Sequence, residues 1–161
     1  MTVARVITAP QSLADANAWP IVYLGGTIDM GDSEDWQARA VKLLAGERAV
    51  ILNPRRTDWN PDWLPVADER HFREQVEWEL AALEVADVVV LHLASGSKSP
   101  ISLLELGLHA RGGRMIVFCA PDYFRKGNVD ITAERYGIER ASSVDDLVEK
   151  VRRRLAQITR F

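Results

Sequence analysis

Four short apolar runs, separated by segments with helical periodicity, constrain the fold of this chain more than any other feature. The runs cover residues 21–24, 49–52, 88–93 and 115–119. Each run is continuous and rich in Val, Ile or Leu, which is typical of strands that are covered on both faces. Segments with the spacing of amphipathic helices lie between and after them, at residues 34–44, 71–85, 100–110 and 144–158. This alternation predicts an α/β fold with a parallel sheet.

The expected architecture is a flavodoxin- or Rossmann-like parallel sheet of about five strands, with helices on both faces. Residues 129–131 are a weak candidate for the fifth strand. Residues 1–18 form either a loose arm or an edge element of the sheet. With 161 residues and no internal repeat, the chain is predicted to be one domain, residues 1–161.

Composition excludes several classes of protein. The net charge of −3 argues against a dedicated nucleic-acid or membrane-surface protein. No stretch is apolar enough to span a bilayer and no secretory signal pattern is present, so we expect a cytoplasmic protein. The single cysteine, Cys119, excludes an internal disulfide, and its apolar neighbours predict a buried structural thiol. The three histidines lack metal-ligand spacing, so we expect neither a metal nor a cofactor.

A lone carboxylate in the apolar run 101–108 is the strongest functional signal in the sequence. Ser99 and Pro100 predict a helix start, with an N-cap followed by proline at the first helical position. The residues that then share a face with Glu105 are apolar: Ile101, Leu104 and Leu108. Carboxylates are rarely buried unless they are paired or used in chemistry. Glu105 is therefore either a catalytic group or a structural acid with a polar partner.

A second acid shows the same pattern. Glu79 follows Val76 by three residues and precedes Leu83 by four, so it faces inward on the predicted helix 71–85. Two inward carboxylates close to a sheet edge indicate general acid/base or nucleophilic chemistry. Paired carboxylates are the usual device for breaking a glycosidic bond.

Ligands of open parallel sheets bind beyond the carboxyl ends of the strands, where several segments of this chain lie. Gly25 and Gly26 follow the first apolar run, lack the dinucleotide-binding spacing and let the backbone approach a ligand closely. Residues 95–99 form either an anion-binding turn that includes Lys98 or an ordinary capped loop. In the long connection 53–68, Trp59 and Trp63 either stack on a flat ring or anchor the loop.

These motifs together resemble the nucleoside 2-deoxyribosyltransferases and their N-glycosidase relatives. The segments that carry the resemblance are Ile21-Val22-Tyr23-Leu24-Gly25-Gly26, Trp78-Glu79-Leu80 with Ala86-Asp87-Val88, and Glu105-Leu106-Gly107-Leu108-His109-Ala110. Asn53-Pro54-Arg55-Arg56 and residues 118–130 are similar to the branch called nucleoside 2-deoxyribosyltransferase-like. The resemblance extends over residues 21–137 and implies a small-molecule nucleoside or nucleotide as substrate.

The resemblance also implies a role for each matched residue. Glu105 matches the family nucleophile, which attacks the anomeric carbon and holds a glycosyl ester. Tyr23 matches a tyrosine that orients this glutamate, and Glu79 takes the place of an aspartate that contacts or protonates the base. Family members associate, so a homodimer or higher homo-oligomer is implied, with Asn128 a candidate contribution to a neighbour's pocket.

One departure from the family leaves the substrate open. An aspartate stands six residues before the nucleophile in the transferases, whereas this chain has Ser99, which resembles hydrolases of nucleoside 5′-monophosphates. Lys98, with Arg55 or Arg56 across the crevice, favours a phosphate in the same way. Transfer to another base, transfer to water and hydrolysis of a monophosphate therefore remain alternatives. A non-catalytic nucleotide-sensing module is disfavoured, because such a module needs no inward acid.

Overall fold

The computed structural model describes residues 3–28 and 34–158, and within them the chain forms six strands and five α-helices. The strands are β1 (Arg5–Thr8), β2 (Ile21–Gly26), β3 (Val50–Asn53), β4 (Val88–Leu93), β5 (Met115–Cys119) and β6 (Glu139–Ala141). The α-helices are α1 (Trp36–Leu43), α2 (Arg70–Val85), α3 (Pro100–His109), α4 (Lys126–Tyr136) and α5 (Val144–Gln157). The strands and helices predicted from the four apolar runs and four periodic segments are all present, with bounds that differ by at most two residues.

All six strands run parallel, in the order β1-β3-β2-β4-β5-β6. Strand β4 is buried along its whole length, and β2 is buried up to its last residue, because both faces of the sheet are covered. The direction in which successive strands are added reverses between β2 and β4. Ligands of open α/β sheets bind beyond the strand ends at such a reversal. The predicted fold class is confirmed, with six strands rather than about five.

Each face of the sheet carries its own apolar core. Helices α1 and α5 cover one face, where their side chains pack with strand residues such as Val22 and Val90. Helices α2, α3 and α4 cover the other face, which includes Tyr23 and Leu91. Neighbouring residues enter opposite cores because side chains alternate along a strand. This alternation places Tyr23 on the same side of the sheet as α2 and α3.

The expectations for the sheet edges need correction or completion. Residues 129–131 are not a strand: they lie in α4, where Val129 and Ala133 pack into the core and Ile131 is exposed. Val129 and Ile131 are β-branched, which favours a strand when only three residues are considered. The four-residue spacing of the buried residues Val129 and Ala133 is instead that of a helix. The last strand is instead Glu139–Ala141, with a single buried position and therefore no apolar run. Within residues 1–18 the structure contains an edge element, β1, which pairs with β3.

Helix α3 is rotated relative to the sequence-based prediction. Its apolar residues Ile101, Leu104 and Leu108 are 56%, 57% and 56% exposed. Its buried residues are Ser102, Glu105 and Leu106. The prediction that Glu105 is buried is correct, but the prediction that its three apolar neighbours are buried with it is wrong. Apolar residues surround α3 on nearly every side, so hydrophobic burial alone does not select the face that turns inward.

Two features bear on expectations from composition. Cys119 is a free thiol at the end of β5, half-buried rather than fully buried, and burial raises its pKa to about 11. Of the helices in the described ranges, none has both the length and the apolar character that a membrane crossing requires.

Candidate active site

A cavity of about 390 Å³ lies beyond the carboxyl end of β2, at the reversal of strand order. Its wall comes from the end of β2, the loop after β3, one side of α2 and one side of α3. The side chains with polar or charged groups in this wall are Tyr23, Arg55, Arg56, Trp59, Gln75, Glu79, Ser99, Ser102 and Glu105. The fold thus brings Tyr23, Glu79 and Glu105, which are far apart in sequence, into one cavity.

Glu105 and Tyr23 form the buried polar contact of this cavity. Glu105 is 5% exposed, and the Tyr23 hydroxyl donates a hydrogen bond to its Oε1 atom at 3.4 Å. This distance is long for a hydroxyl donor, as is common in unliganded sites. The Oε2 atom is also buried and has no hydrogen-bond partner among the described residues. Burial raises the pKa of Tyr23 well above its usual value, so the hydroxyl remains a donor at neutral pH.

The two glycines at the end of β2 allow close packing of this strand end against its neighbours. A Cβ atom at Gly25 would lie 2.6 Å from Cε1 of Tyr23 and 3.0 Å from Oε2 of Glu105. Gly26 has φ +131° and lies against the backbone of His92, so a side chain there would be both strained and obstructed. Gly25 therefore leaves space for Tyr23 and Glu105, whereas Gly26 allows close approach to the backbone of β4 and itself lines the cavity.

Glu79 lies on the α2 side of the cavity and is held by a glutamine. The Nε2 atom of Gln75 donates to Oε1 of Glu79 at 2.8 Å and to the carbonyl oxygen of Pro54, also at 2.8 Å. Gln75 precedes Glu79 by one helical turn, so both side chains lie on the same side of α2. The glutamine thereby fixes the position of the carboxyl group relative to the loop after β3.

The two carboxyl groups share an environment that favours their neutral forms. Burial raises the pKa of Glu79 to about 7, against a smaller lowering by the Gln75 hydrogen bond. Burial, and after it the charge of Glu79, raises the pKa of Glu105 to about 8, while the Tyr23 hydrogen bond lowers it. Two acids in one apolar cavity repel each other when both are ionised, so the pair retains a proton near neutral pH.

Ser99 belongs to a cluster of buried hydroxyl groups at the start of α3. Its Oγ atom lies 2.6 Å from Oγ1 of Thr27 and 3.0 Å from Oγ of Ser97. Ser99 has φ 43°, and its side chain makes no capping hydrogen bond to α3. The helix begins at Pro100, where the sequence predicts, but the hydroxyl joins the end of β2 to the loop after β4 instead of capping the helix.

Both arginines that were predicted to bind substrate lie in the cavity wall and are engaged by acids. Arg55 lies 3.7 Å from Asp35 and donates to the backbone carbonyl of Glu34 at 3.1 Å. Arg56 contacts Asp58 at 2.8 Å and Glu74 at 3.2 Å, and its side chain is 4% exposed. The charge of Arg56 is therefore compensated within the chain, which makes it an anchor for the loop after β3.

The two tryptophans of that loop, Trp59 and Trp63, have different surroundings, which bears on whether each anchors the loop or is available to a ligand. Trp63 stacks on His71 with ring centroids 4.4 Å apart, and the guanidinium of Arg56 lies 5.0 Å from the Trp63 ring. Trp63 therefore anchors the loop. Trp59 contacts Trp63 edge to face and lines the cavity, where its ring is available to a flat ligand.

Three residues that were predicted from the sequence to bind substrate do not line the cavity: Gly25, Lys98 and Asn128. Lys98 is exposed, and its backbone carbonyl accepts a hydrogen bond from the Tyr123 hydroxyl at 2.6 Å. Asn128 is exposed near the start of α4. Neither side chain lines the cavity of its own chain. A role for Asn128 in a neighbour's site remains a prediction.

Sequence analysis missed two polar residues of the cavity, Gln75 and Ser102. Each precedes a predicted acid by about one helical turn, Gln75 before Glu79 and Ser102 before Glu105. Residues at this spacing lie on the same side of a helix, so the spacing was the available signal. Ser102 is 4% exposed and lies between Ser99 and Glu105 on the inner side of α3.

The donor set of the cavity suits proton transfer and nucleophilic attack. Across residues 3–28 and 34–158, no group of three His, Cys, Asp or Glu side chains is arranged to hold a metal ion. A buried carboxylate beside a tyrosine hydroxyl can attack an electrophilic carbon, and a second carboxyl group with raised pKa can donate a proton.

Comparisons with known proteins identify the family and the fold of the chain. The model of a protein family described as nucleoside 2-deoxyribosyltransferase like matches residues 19–123. A similar solved structure is the crystal structure of a conserved protein from Enterococcus faecalis V583, with a TM-score of 0.61 and 14% identity. The similarity covers 85% of this chain and 99% of that chain, and it supports the fold alone. No curated protein matches the sequence significantly.

Proposed function

The chain belongs to the nucleoside 2-deoxyribosyltransferase-like family, and from this premise we propose that it cleaves the N-glycosidic bond of a (deoxy)nucleoside. The proposed intermediate is a glycosyl ester on Glu105. The observation that carries the proposal is the contact between Tyr23 and Glu105 in a cavity that also holds Glu79. This family is generally enzymatic, and glycosyl transfer is the reaction that such a pair of carboxyl groups supports.

In the first step, a carboxylate oxygen of Glu105 attacks C1′ of the sugar. The bond from C1′ to Glu105 forms as the bond from C1′ to the base breaks, and the base takes a proton from Glu79. Tyr23 donates its hydrogen bond to Glu105 and orients the attacking carboxylate. The transition state resembles an oxocarbenium ion, so its positive charge is stabilised by the adjacent ionised Glu105.

In the second step, an incoming base or a water molecule attacks C1′ and releases Glu105. The Glu79 carboxylate takes the proton that the acceptor loses, which restores the starting state. Transfer to a base requires the acceptor to occupy the cavity and exclude water. The apolar walls contributed by Phe72, Val76 and Leu80 favour a flat base over bulk water.

The reaction requires one proton on the pair of acids, with Glu105 ionised and Glu79 protonated. In the empty cavity burial raises the pKa of both acids, and the charge of Glu79 raises the pKa of Glu105 further, so either acid can hold the shared proton. Both arrangements carry the same total charge. Positive charge develops at C1′ in the transition state, and it stabilises the arrangement in which Glu105 is ionised and Glu79 is protonated. This stabilisation is absent in the ground state, so it lowers the barrier.

The second candidate is an N-glycosidase of nucleoside 5′-monophosphates that uses the same nucleophile. It is favoured by Ser99, a neutral hydroxyl group that lines the cavity at the start of α3. A helix start presents unpaired backbone N–H groups, which suit a phosphate. It is disfavoured by the compensated charge of Arg56 and by the position of Lys98 outside the cavity. We therefore favour the nucleoside.

We also propose that the enzyme is a homo-oligomer. The apolar side chains that surround the open side of the cavity are exposed in the single chain: Leu80, Ile101, Leu104 and Leu108. A contiguous apolar surface of this kind typically marks an interaction site. A second copy of the chain on this surface would bury it and close the cavity to water.

A base-release assay tests the proposed function. The substrates are a deoxynucleoside and its 5′-monophosphate, each with and without an acceptor base. The parent protein should release base, and kcat/KM should be higher for the nucleoside. Ser99→Asp should affect the monophosphate more, because an added carboxylate repels phosphate. Absence of base release from every substrate would rule the proposal out, and a preference for the monophosphate that Ser99→Asp abolishes would establish the second candidate.

A further inference from the structure

Gln75 is a buried glutamine whose hydrogen bonds are incomplete. The residue is only 6% exposed. Its Nε2 atom donates to two oxygen atoms, the carbonyl of Pro54 and Oε1 of Glu79. Its Oε1 atom is buried and has no hydrogen-bond partner among the described residues. Buried polar atoms without partners are rare in folded proteins, and each calls for an explanation.

The orientation of this amide follows from its two partners. The carbonyl oxygen of Pro54 can only accept a hydrogen bond, so it must face the NH₂ group of Gln75. A flipped amide would place Oε1 of Gln75 against that oxygen and lose the attraction. The amide is therefore held in the orientation that leaves its own oxygen unsatisfied. In this orientation Oε1 of Gln75 accepts no hydrogen bond from the described residues, while Nε2 donates two, one of them to Glu79.

The consequence for Glu79 is that its two oxygen atoms are no longer equivalent. Oε1 accepts the hydrogen bond of Gln75 at 2.8 Å. Oε2 makes no hydrogen bond within the described part of the chain, so a proton on this carboxyl group is carried there. Because Gln75 is tied to Pro54 in the loop after β3, it also restricts rotation of the carboxyl group.

We propose that Gln75 is a positioning residue that holds Glu79 by Oε1 and directs the proton on Oε2 toward the departing base. This inference rests on the proposed function, because it assigns a task within that reaction. The raised pKa of Glu79 agrees with it, since a group near pH 7 can both give and retake a proton. The inference rests on the two hydrogen bonds of Gln75 and on the fixed orientation of its amide, and it does not require the raised pKa.

The test uses leaving groups that differ in their need for a proton. 2′-Deoxyguanosine requires protonation of the departing base, whereas 7-methyl-2′-deoxyguanosine carries a positive charge and departs without it. Gln75→Met keeps the size of the side chain and removes both donors. General acid catalysis contributes about 10²–10⁴-fold, so loss of its positioning should lower kcat for 2′-deoxyguanosine by about 10- to 100-fold. The same variant should change kcat for the methylated substrate by less than about threefold.

Two further variants separate positioning from a general loss of structure. Gln75→Leu provides an independent removal of the donors if the methionine variant folds poorly. Gln37→Met makes the same substitution at another buried glutamine, on α1 at the opposite face of the sheet. Gln37→Met should alter both substrates to the same extent, because it reaches the site only through the core.

The possible outcomes distinguish this inference from the proposed function. Selective loss with 2′-deoxyguanosine in the Gln75 variants supports the positioning role. Equal loss with both substrates, or no loss, overturns it and leaves Glu105 and the proposed function in place. Lack of base release by the parent protein from either substrate overturns the proposed function and this inference with it.

Discussion

Helices α3 and α5 both contain several apolar residues, but they bury different kinds of face. Helix α5 buries Leu147, Val148 and Val151 and turns its charged residues outward. Helix α3 buries Glu105 and Ser102, while three of its large apolar residues are more than half exposed. The first helix buries its apolar stripe, whereas the second buries two polar residues together with Leu106 and leaves three large apolar residues exposed.

The difference between the two helices shows under which condition the spacing of apolar residues determines which side of a helix is buried. Helix α5 has a single apolar stripe, so burial of that stripe determines which side meets the sheet. Helix α3 has apolar residues around most of its circumference, so several rotations bury similar apolar areas. In that case the contacts of a few polar groups decide, here Tyr23 with Glu105 and the hydroxyl cluster with Ser99. A helix that is rotated against its hydrophobic pattern is therefore a candidate carrier of function.

The largest expected effect comes from substituting one buried residue of each helix, Glu105 on α3 and Leu147 on α5. Glu105→Ala should lower turnover by roughly 10³–10⁶-fold, because it removes the proposed nucleophile. Leu147→Ala on α5 should instead destabilise the fold by about 2–5 kcal/mol and leave kcat of the folded protein unchanged. Base-release kinetics and denaturant unfolding measure the two effects. Near-normal turnover of Glu105→Ala would remove the functional distinction between the helices.

The next effect concerns the contact that orients α3. Tyr23→Phe should lower kcat by about 10²-fold with a small change in KM, because the hydroxyl acts on the nucleophile rather than on substrate binding. Steady-state kinetics with one nucleoside provide the measurement. A rise in KM with kcat unchanged would indicate instead that Tyr23 contributes to substrate binding.

A buried acid on α3 also predicts how stability depends on pH. The pKa of Glu105 is raised by burial to about 8 in the folded chain, so the folded state binds more protons than the unfolded state between about pH 4.5 and pH 8. Stability should therefore fall as pH rises through this window. Glu105→Gln removes this acid and should be more stable relative to the parent at pH 9 than at pH 5, by roughly 4 kcal/mol.

Urea unfolding at pH 5 and pH 9 measures this difference. Asp145→Asn on α5 is the matched control, since Asp145 is an exposed acid and its removal should change the two stabilities alike. Equal stability changes for Glu105→Gln at both pH values would mean that Glu105 is already ionised in the folded chain at low pH.

The smallest expected effect tests the outward side of α3. Leu104→Lys should weaken self-association by about tenfold, because it places a charge in the proposed apolar interface. Ala156→Lys on the exposed side of α5 should leave self-association unchanged. Sedimentation over a micromolar concentration range measures both variants. A parent protein that is monomeric throughout this range and fully active would exclude the proposed oligomer.

The sequence predicted the regular parts of the fold well because they depend on local pattern. The buried strands read as continuous apolar runs, and the stripe of α5 reads as a helix. The edge strands were predicted less well: residues 1–18 were left as either a loose arm or an edge element, and Glu139–Ala141 was not predicted, since both strands are short and partly exposed. Residues 129–131 were misassigned because three residues do not distinguish a strand from one turn of helix.

The candidate site was predictable where an acid stood in an apolar context or a motif matched a family. Glu105, Glu79 and Tyr23 were identified in this way, and the structure brings them into one cavity. Gln75 was not identified, because its one signal is the four-residue spacing to Glu79, which many surface residues of a helix share by chance. The positions of Lys98 and Arg56 could not be anticipated either, since their partners Tyr123, Asp58 and Glu74 depend on loop paths.

The sequence by itself determined the alternation of strands and helices, and through it a parallel sheet whose strand ends gather the functional residues. Only the tertiary structure decided the rotation of α3, the hydroxyl contacts of Ser99 and the pairing of Gln75 with Glu79. The physical reason is range: apolar periodicity acts within one element, whereas these contacts join atoms from different elements. Their positions depend on the packing of the whole sheet.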